Sequence, residues 1–345
     1  MLEETVKANG SWHNWEEMCA PDSRIRRVTR GLEAPGDWQP HAFTTTDHAT
    51  AMSICANPEF RIMHGTTSAG GWLSDLSPSF AMSRTDLNGD IGFPPTIHYD
   101  LNPPNEVSFK DKPVHKLVWR GRIDGIAADV HHEWRESHRF RLASLLNEKG
   151  NDAKRTVRVG RHDLMGREYF EDVEVGLGEL NERYADVKAT GVVQCDSVVC
   201  ETTKQEIEFG NYASLEEMSQ ARYVMDVDGN AYSARFRAHL ESFQVPLKST
   251  IYKEWYHDRI MPWLHYVPVR QDYSDIYDIL AFFDGFGPDR EGHHDDLAEE
   301  IALAGREWAL THLRRVDMTA YVFRLLLEYG RLFEEEREPL LATTH

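Results

Sequence analysis

The sequence is short of cysteine, of long apolar runs and of positive charge, and each shortage excludes something. Four cysteines in 345 residues (Cys19, Cys55, Cys195 and Cys200) are too few for a scaffold built from disulfides. Cys195 and Cys200 have four residues between them and no second Cys or His cluster nearby, which argues against a zinc site. No stretch reaches the roughly 18–20 apolar residues of a membrane span. The N-terminal MLEETVKANG has neither the basic region nor the apolar core of a secretory signal. With 38 basic and 57 acidic residues the net charge is −19, so a nucleic-acid partner would be repelled. Several chemical signatures are also missing: the Gly-x-Ser-x-Gly elbow, the phosphate loop ending in Lys-Ser/Thr, and the Gly-x-Gly-x-x-Gly turn. Lys248-Ser249-Thr250 lacks the glycine loop that a nucleoside-triphosphate site needs. There is no internal repeat, low-complexity tract or Gly/Ser linker. The sequon Asn9-Gly10-Ser11 has meaning only in the secretory pathway.

A hydrophobic share of 41% with 11% aromatics describes a globular chain long enough for two domains. Residues 1 to about 112 are rich in Pro, Gly, Ser, Thr and Asp, and few patterns there extend to a full helix. From Lys116 the pattern changes. Lys116–Trp119 reads as a buried strand followed by a turn at Gly121 and Gly125, and residues 128–147 read as an amphipathic helix. Strands follow at Thr156–Val159 and Arg222–Val227, the latter ending in the turn Asp228-Gly229-Asn230. A helix at Ser233–Ser242 and strands at Val245–Lys248 and His265–Val269 come next. From Asp275 the chain reads as helical, with Leu297, Ile301 and Trp308 on one face and a last apolar helix at Tyr321–Phe333. Alternating short strands and helices predict an open α/β sheet.

Charge is unevenly spread. Between Lys116 and Arg161 there are eleven Lys and Arg against six acids, a local +5 in an acidic chain. A small anionic ligand would explain the island; so would a solvated surface with ordinary ion pairs. Trp119-Arg120-Gly121-Arg122-Ile123-Asp124-Gly125 ends the first predicted strand, and the carboxyl ends of such strands are where open α/β sheets bind ligands. Its arginines, with Arg139 and Arg141 on the next helix, suit bidentate recognition of an anion. The run Asp226 to Phe236 repeats the strand–turn–helix pattern and puts Ser233 and Arg235 near a helix N-terminus. Asp226 and Asp228 invite a metal reading, although two aspartates at a strand end also serve to cap a turn. His131-His132 and His293-His294-Asp295-Asp296 lack the spacing of a hydrolytic metal site and read better as surface and capping groups.

Taken together, these segments resemble glycosyltransferase family 90, the capsule-associated-protein-like transferases that include protein O-glucosyltransferases. The matching residues are Leu117–Gly121, His138–Leu142, Tyr223–Asn230, Ser233–Phe236, Leu247–Thr250, Glu254-Trp255 and Pro262–Val269. Cys19–Ser23, His64-Gly65 and Ser77–Phe80 look like the fungal branch. The resemblance implies an α/β fold of two Rossmann-like domains facing a cleft, the GT-B type. Residues 1–112 would form a partial acceptor-side lobe and 113–290 the nucleotide-sugar lobe, with 291–345 as helices packing back across both. It implies a UDP-glucose or UDP-xylose donor, a glycan or protein acceptor, inverting transfer without a metal cofactor, and a place in the Golgi or endoplasmic reticulum. The donor contacts carry over to Arg120, Gly121, Arg122, Arg139, Gly229, Asn230, Ala231, Ser233 and Arg235, with Arg139 and Arg235 on the diphosphate. Arg122 stands where the family commonly has Ser.

The family's catalytic base belongs to an Asn-x-x-Asp-like segment expected upstream of the stretch beginning near Trp15. Asp47, Asp75, Asp86, Asp90 and Asp100 do not match it, so none is assigned. The expectation is therefore a transferase whose N-terminal lobe is incomplete in this chain. The alternative is a nucleotide-sugar-binding protein of the same fold that has lost the base. A metal hydrolase built on the histidine pairs ranks well below both.

Overall fold

The computed structural model describes residues 19–33, 47–68, 79–100 and 107–333. Its centre is a five-stranded parallel sheet. In chain order with a neighbouring hairpin, the strands are β1 (Val114–Ile123), β2 (Lys154–His162), β3 (Glu168–Gly176), β4 (Ala185–Val192), β5 (Ala221–Val227), β6 (Val245–Ser249) and β7 (Val267–Pro268). The sheet runs β7-β6-β5-β1-β4, all parallel, while β2 and β3 pair only with each other, antiparallel. Every residue of β5 and β6 is buried, as expected of strands covered on both faces.

The main helices are α1 (His138–Asn147), α2 (Leu177–Tyr184), α3 (Ser197–Glu206), α4 (Phe236–Glu241), α5 (Ile276–Asp284), α6 (Asp295–His312) and α7 (Arg315–Leu332). Contacts group α1, α2 and α5 together, and α4 with α6, giving the sheet its covering layers. The largest apolar cluster runs from Leu117 and Trp119 through Tyr223 and Leu247 to Leu280 and Phe283. A second cluster packs Phe236, Trp255 and Tyr256 against Trp308 and Met318. Tyr321 on α7 donates its hydroxyl to the carbonyl of Gly92, which ties that helix to the N-terminal segment. None of the described helices is long and apolar enough to cross a membrane.

The structure departs from the sequence reading in several places. The helix expected over 128–147 begins only at His138, after a single 3-10 turn at Trp134–Glu136. Asp129 accepts bonds from the amide of His131 and the ring of His132, and such local bonding competes with helix formation. Thr156–Val159 is indeed a strand, but it lies in the β2–β3 hairpin. The sheet position beside β1 goes to Ala185–Val192, which the sequence reading missed. Gly121 lies inside β1, opposite Ala189, instead of forming a turn; a Cβ there would fall 2.5 Å from the Trp119 ring. Among the described residues, those before 112 form short helices and two-residue strands.

Two disulfides close loops that the sequence left open: Cys19 with Cys55, and Cys195 with Cys200. The first sits in a small cluster where Ile25, Ile54 and Phe60 pack on Ile251 and Tyr252. That contact brings the N-terminal segment against the loop following β6.

Candidate functional site: the crevice between β1 and β5

The chain enters the sheet at β1, crosses to β4 on one side, then returns to build β5, β6 and β7 on the other. The reversal leaves a crevice at the carboxyl ends of β1 and β5, where doubly wound sheets take their ligands. Two segments meet there, Arg122–Gly125 and Asp228–Ala231. Gly125 has φ +83°, and a Cβ on it would fall 2.6 Å from the carbonyl oxygen of Gly229. The two turns touch backbone to backbone because neither residue carries a side chain.

The turn beginning at Asp228 is held from several directions. The buried Asp228 carboxylate accepts from the Thr250 hydroxyl (2.5 Å), the Ile251 amide (2.8 Å) and the His64 ring (3.2 Å). Its carbonyl accepts from Arg139 Nε at 2.6 Å and from the His138 ring at 2.9 Å. Tyr252 donates to the carbonyl of Asn230 at 3.2 Å. Asp226, also buried, is paired with Lys248 at 2.6 Å. Burial pushes the Asp226 carboxyl up, but Lys248, His239 and Ser233 together outweigh it and hold the group below its usual value. The two aspartates that suggested a metal thus face separate protein partners, and among the described residues no cluster of three His, Cys, Asp or Glu groups is placed to hold an ion.

The four arginines of the expected site have different surroundings. Arg120 is bound in a fork to the Asp186 carboxylate, at 2.7 and 2.9 Å. Arg139 donates to the carbonyls of Asp228 and Arg122 and pairs with Asp124 at 2.5 Å. Both side chains build the walls of the crevice. Arg122 is exposed at the end of β1 and has no ion-pair partner among the described residues. Arg235, half-buried, gives one hydrogen bond, from Nη1 to the Arg120 carbonyl at 2.6 Å, and has no carboxylate partner among the described residues. Burial and the neighbouring Arg139 both push its pKa below the usual arginine value. Gly229 and Ala231 are half-buried, Asn230 is exposed and Ser233 is buried at 5%. The helix after them has only six residues, Phe236–Glu241, with Arg235 at its N-cap. The long helix N-terminus expected over Ser233–Ser242 is therefore replaced by a turn and a discrete cation.

The other candidates take local roles. Asp47 caps the helix His48–Met52, Asp86 accepts from Ser53 and the Ile54 amide, and Asp90 accepts from Ser79. Asp75, Trp15 and the sequon at Asn9 lie outside the described residues, as does the side chain of Asp100. His132 bonds Asp129, while His294 stacks on Phe282 and contacts Glu168 at 3.0 Å. His64, which the sequence reading quoted without a role, lies directly beneath the Asp228 turn; no sequence spacing connects it to a residue 164 positions later.

Comparison with known families decides the membership. A profile described as "Glycosyl transferase family 90" matches residues 164–339, just over half of the chain. The chain belongs to glycosyltransferase family 90. Similar curated proteins include protein O-glucosyltransferase 2 of Danio rerio, 30% identical over 35% of this chain and 23% of its own length. Protein O-glucosyltransferase 1 of Rattus norvegicus is 33% identical over 32% of this chain and 26% of its own. The O-glucosyltransferase rumi homolog of Aedes aegypti is 35% identical over 35% and 29%. The aligned part of the chain thus spans about a quarter of the length of these curated relatives. The family-90 match covers the turn at Gly229 and Arg235, whereas Arg120, Arg122 and Arg139 precede it.

Proposed function

We propose that this family-90 chain binds a UDP-sugar in the β1–β5 crevice and transfers its glucose or xylose to a hydroxyl of a glycan or protein, with inversion. The observation that carries this reading is Arg235. It is a half-buried guanidinium beside a second one, at the switch point of a parallel sheet, with a single carbonyl as its partner among the described residues. A bound diphosphate would supply the missing negative charge and accept from its remaining N–H groups. The exposed Arg122, at the end of β1, would add a second contact.

In the reaction the acceptor oxygen attacks the anomeric carbon as the bond from that carbon to the diphosphate oxygen breaks. UDP departs with the bonding electrons, and a carboxylate on the acceptor side takes the hydroxyl proton. Positive charge fixed in advance at the leaving group stabilises the developing diphosphate, so no metal cofactor is required by this reading. Residues 113–290 would form the donor lobe of a GT-B arrangement of two Rossmann-like domains. Residues 1–112 would face the acceptor, and 291–345 would pack back across. The pairing of all four cysteines supports folding in an oxidising compartment, in keeping with the Golgi or endoplasmic reticulum.

One observation favours a second reading, a nucleotide-sugar-binding protein without turnover. Asp124, Asp226 and Asp228, the carboxylates bordering the crevice, are all engaged by protein partners. Calorimetric titration with UDP tests the shared part, and no binding at millimolar UDP would overturn both readings. Release of UDP from UDP-glucose or UDP-xylose in the presence of a hydroxyl acceptor separates transferase from binder.

A further inference from the structure

The rings of His64 and His138 lie face to face, 4.0 Å between centroids and 5° from parallel, and neither ring is exposed. The bonding partners of each ring fix where its proton sits. The Gly65 amide donates to Nδ1 of His138 at 3.3 Å, leaving the proton on Nε2, which donates to the Asp228 carbonyl. The Thr66 amide donates to Nδ1 of His64 at 3.3 Å, and its Nε2 donates to the Asp228 carboxylate. Two successive amides of the N-terminal segment are thus linked, each through one neutral ring, to the two acceptors of a single residue. The approach is close: a Cβ on Gly65 would fall 1.9 Å from the Gly125 carbonyl oxygen.

We propose that His138, with His64 stacked on it, is a positioning residue that sets the Asp228–Ala231 turn and couples it to the segment Phe60–Ser68. The proposal rests on the donor-crevice reading for its consequence, because the same turn carries Gly229 and leads into Arg235. Filling the volume alone would need rings of the same size but no matched donor and acceptor. A second proton on His138 would point an N–H at the Gly65 amide and set a cation against Arg139. Burial, then His64 and Arg139, hold His138 well below the usual histidine range, so the neutral form its partners require is the one present at neutral pH. Tyr273 fixes the start of α1 by donating its hydroxyl to the His138 carbonyl at 2.8 Å. The ring therefore hangs from an anchored backbone.

The test is hydrogen exchange read by mass spectrometry on the full chain, with UDP affinity measured in parallel. His138→Phe keeps a stacked ring and removes both hydrogen bonds. His138→Gln returns a donor for the Asp228 carbonyl. We expect His138→Phe to speed exchange across 226–232 and 62–68 by about tenfold and to weaken UDP binding by a similar factor. Strand β6 should exchange as in the wild type, and His138→Gln should recover most of both losses. Unchanged exchange at 226–232 in His138→Phe overturns the proposal. If that variant does not fold, His64→Phe, which cuts the links to the Asp228 carboxylate and to the Thr66 amide and leaves those of His138, is read by the same criterion. If the wild type fails to bind UDP, the donor reading falls, and the exchange data still decide whether the pair couples the two segments.

Discussion

Arg139 donates through Nε to the carbonyl oxygen of Asp228 at 2.6 Å, joining the first helix after β1 to the turn that follows β5. The same guanidinium holds the Arg122 carbonyl and the Asp124 carboxylate, so one side chain fixes both lips of the crevice. The arginine that would be chosen from sequence as a ligand contact is thereby part of the frame.

Arg139→Ala should therefore show itself first as lost stability. Removing one member of a buried ion pair that also bonds three carbonyls costs about 3 kcal/mol, read from urea unfolding. A destabilisation below about 1 kcal/mol would contradict the framing role.

Arg235→Ala should behave in the opposite way. Only one hydrogen bond to the protein is lost, so stability should change by about 1 kcal/mol or less, while UDP affinity falls by about ten- to a hundredfold. Arg122→Ala should weaken UDP binding by a smaller factor, because its side chain is exposed. Calorimetry on both variants checks this; unaltered affinity in Arg235→Ala removes the diphosphate assignment.

Gly125→Ala tests the contact between the two turns. The residue has φ +83°, and a Cβ would meet both the Gly229 carbonyl and the His138 ring, so the loss should exceed about 2 kcal/mol. Gly166→Ala is the control, with φ +73° and open space around the position; backbone strain alone should cost about 1 kcal/mol. Equal losses in the two variants would mean that the close approach adds nothing.

Glu254 gives a pH dependence of definite sign. Burial pushes its carboxyl up to about 7 despite the nearby Lys248. A raised folded pKa means that the contribution to stability is complete below the unfolded value near 4.5 and is lost as pH rises towards 7. Relative to Glu254→Gln, the wild type should thus lose about 3 kcal/mol between pH 4.5 and 7. Paired urea titrations across that window check the direction, and a constant difference would refute it.

All four cysteines are paired, so the denatured, non-reduced protein should contain no reactive thiol. Replacing Cys19 and Cys55 together by Ser should cost about 4 kcal/mol, the chain-entropy value for a loop of that length. One or more free thiols per chain would show that a bridge is not formed in solution.

Much of the sheet was legible in the sequence because β5 and β6 carry short apolar stretches, Tyr223–Met225 and Val245–Leu247, with the turn Asp228-Gly229-Asn230 closing the first. The strand β4 was not: Ala185–Val192 contains Asp186, Lys188, Thr190 and Gly191, and only its place beside β1 makes it a strand. Of the hairpin, β2 was legible as a strand through Thr156–Val159 but not as lying outside the sheet, since local alternation is silent about partners, and β3 was not read at all. At the site, the turn Asp228-Gly229-Asn230 and Arg235 could be read from turn chemistry and charge. What sequence could not reveal was the allocation of the arginines. Whether a guanidinium faces a ligand or a carbonyl depends on atoms contributed by residues far away, as Asp186 is for Arg120.

The order of the sheet also constrains how the chain is made. Leu117 in β1 takes its strand partners from Ala185 and Tyr223, which emerge from a ribosome long after it does. Until then the apolar side of β1 and both its edges have nothing to pair with, and parallel strands separated this far close slowly. A nascent chain halted between β1 and β5 would carry an open edge with Trp119 uncovered. It should be a preferred substrate for chaperones, whereas release after β6 should let the central strands close together.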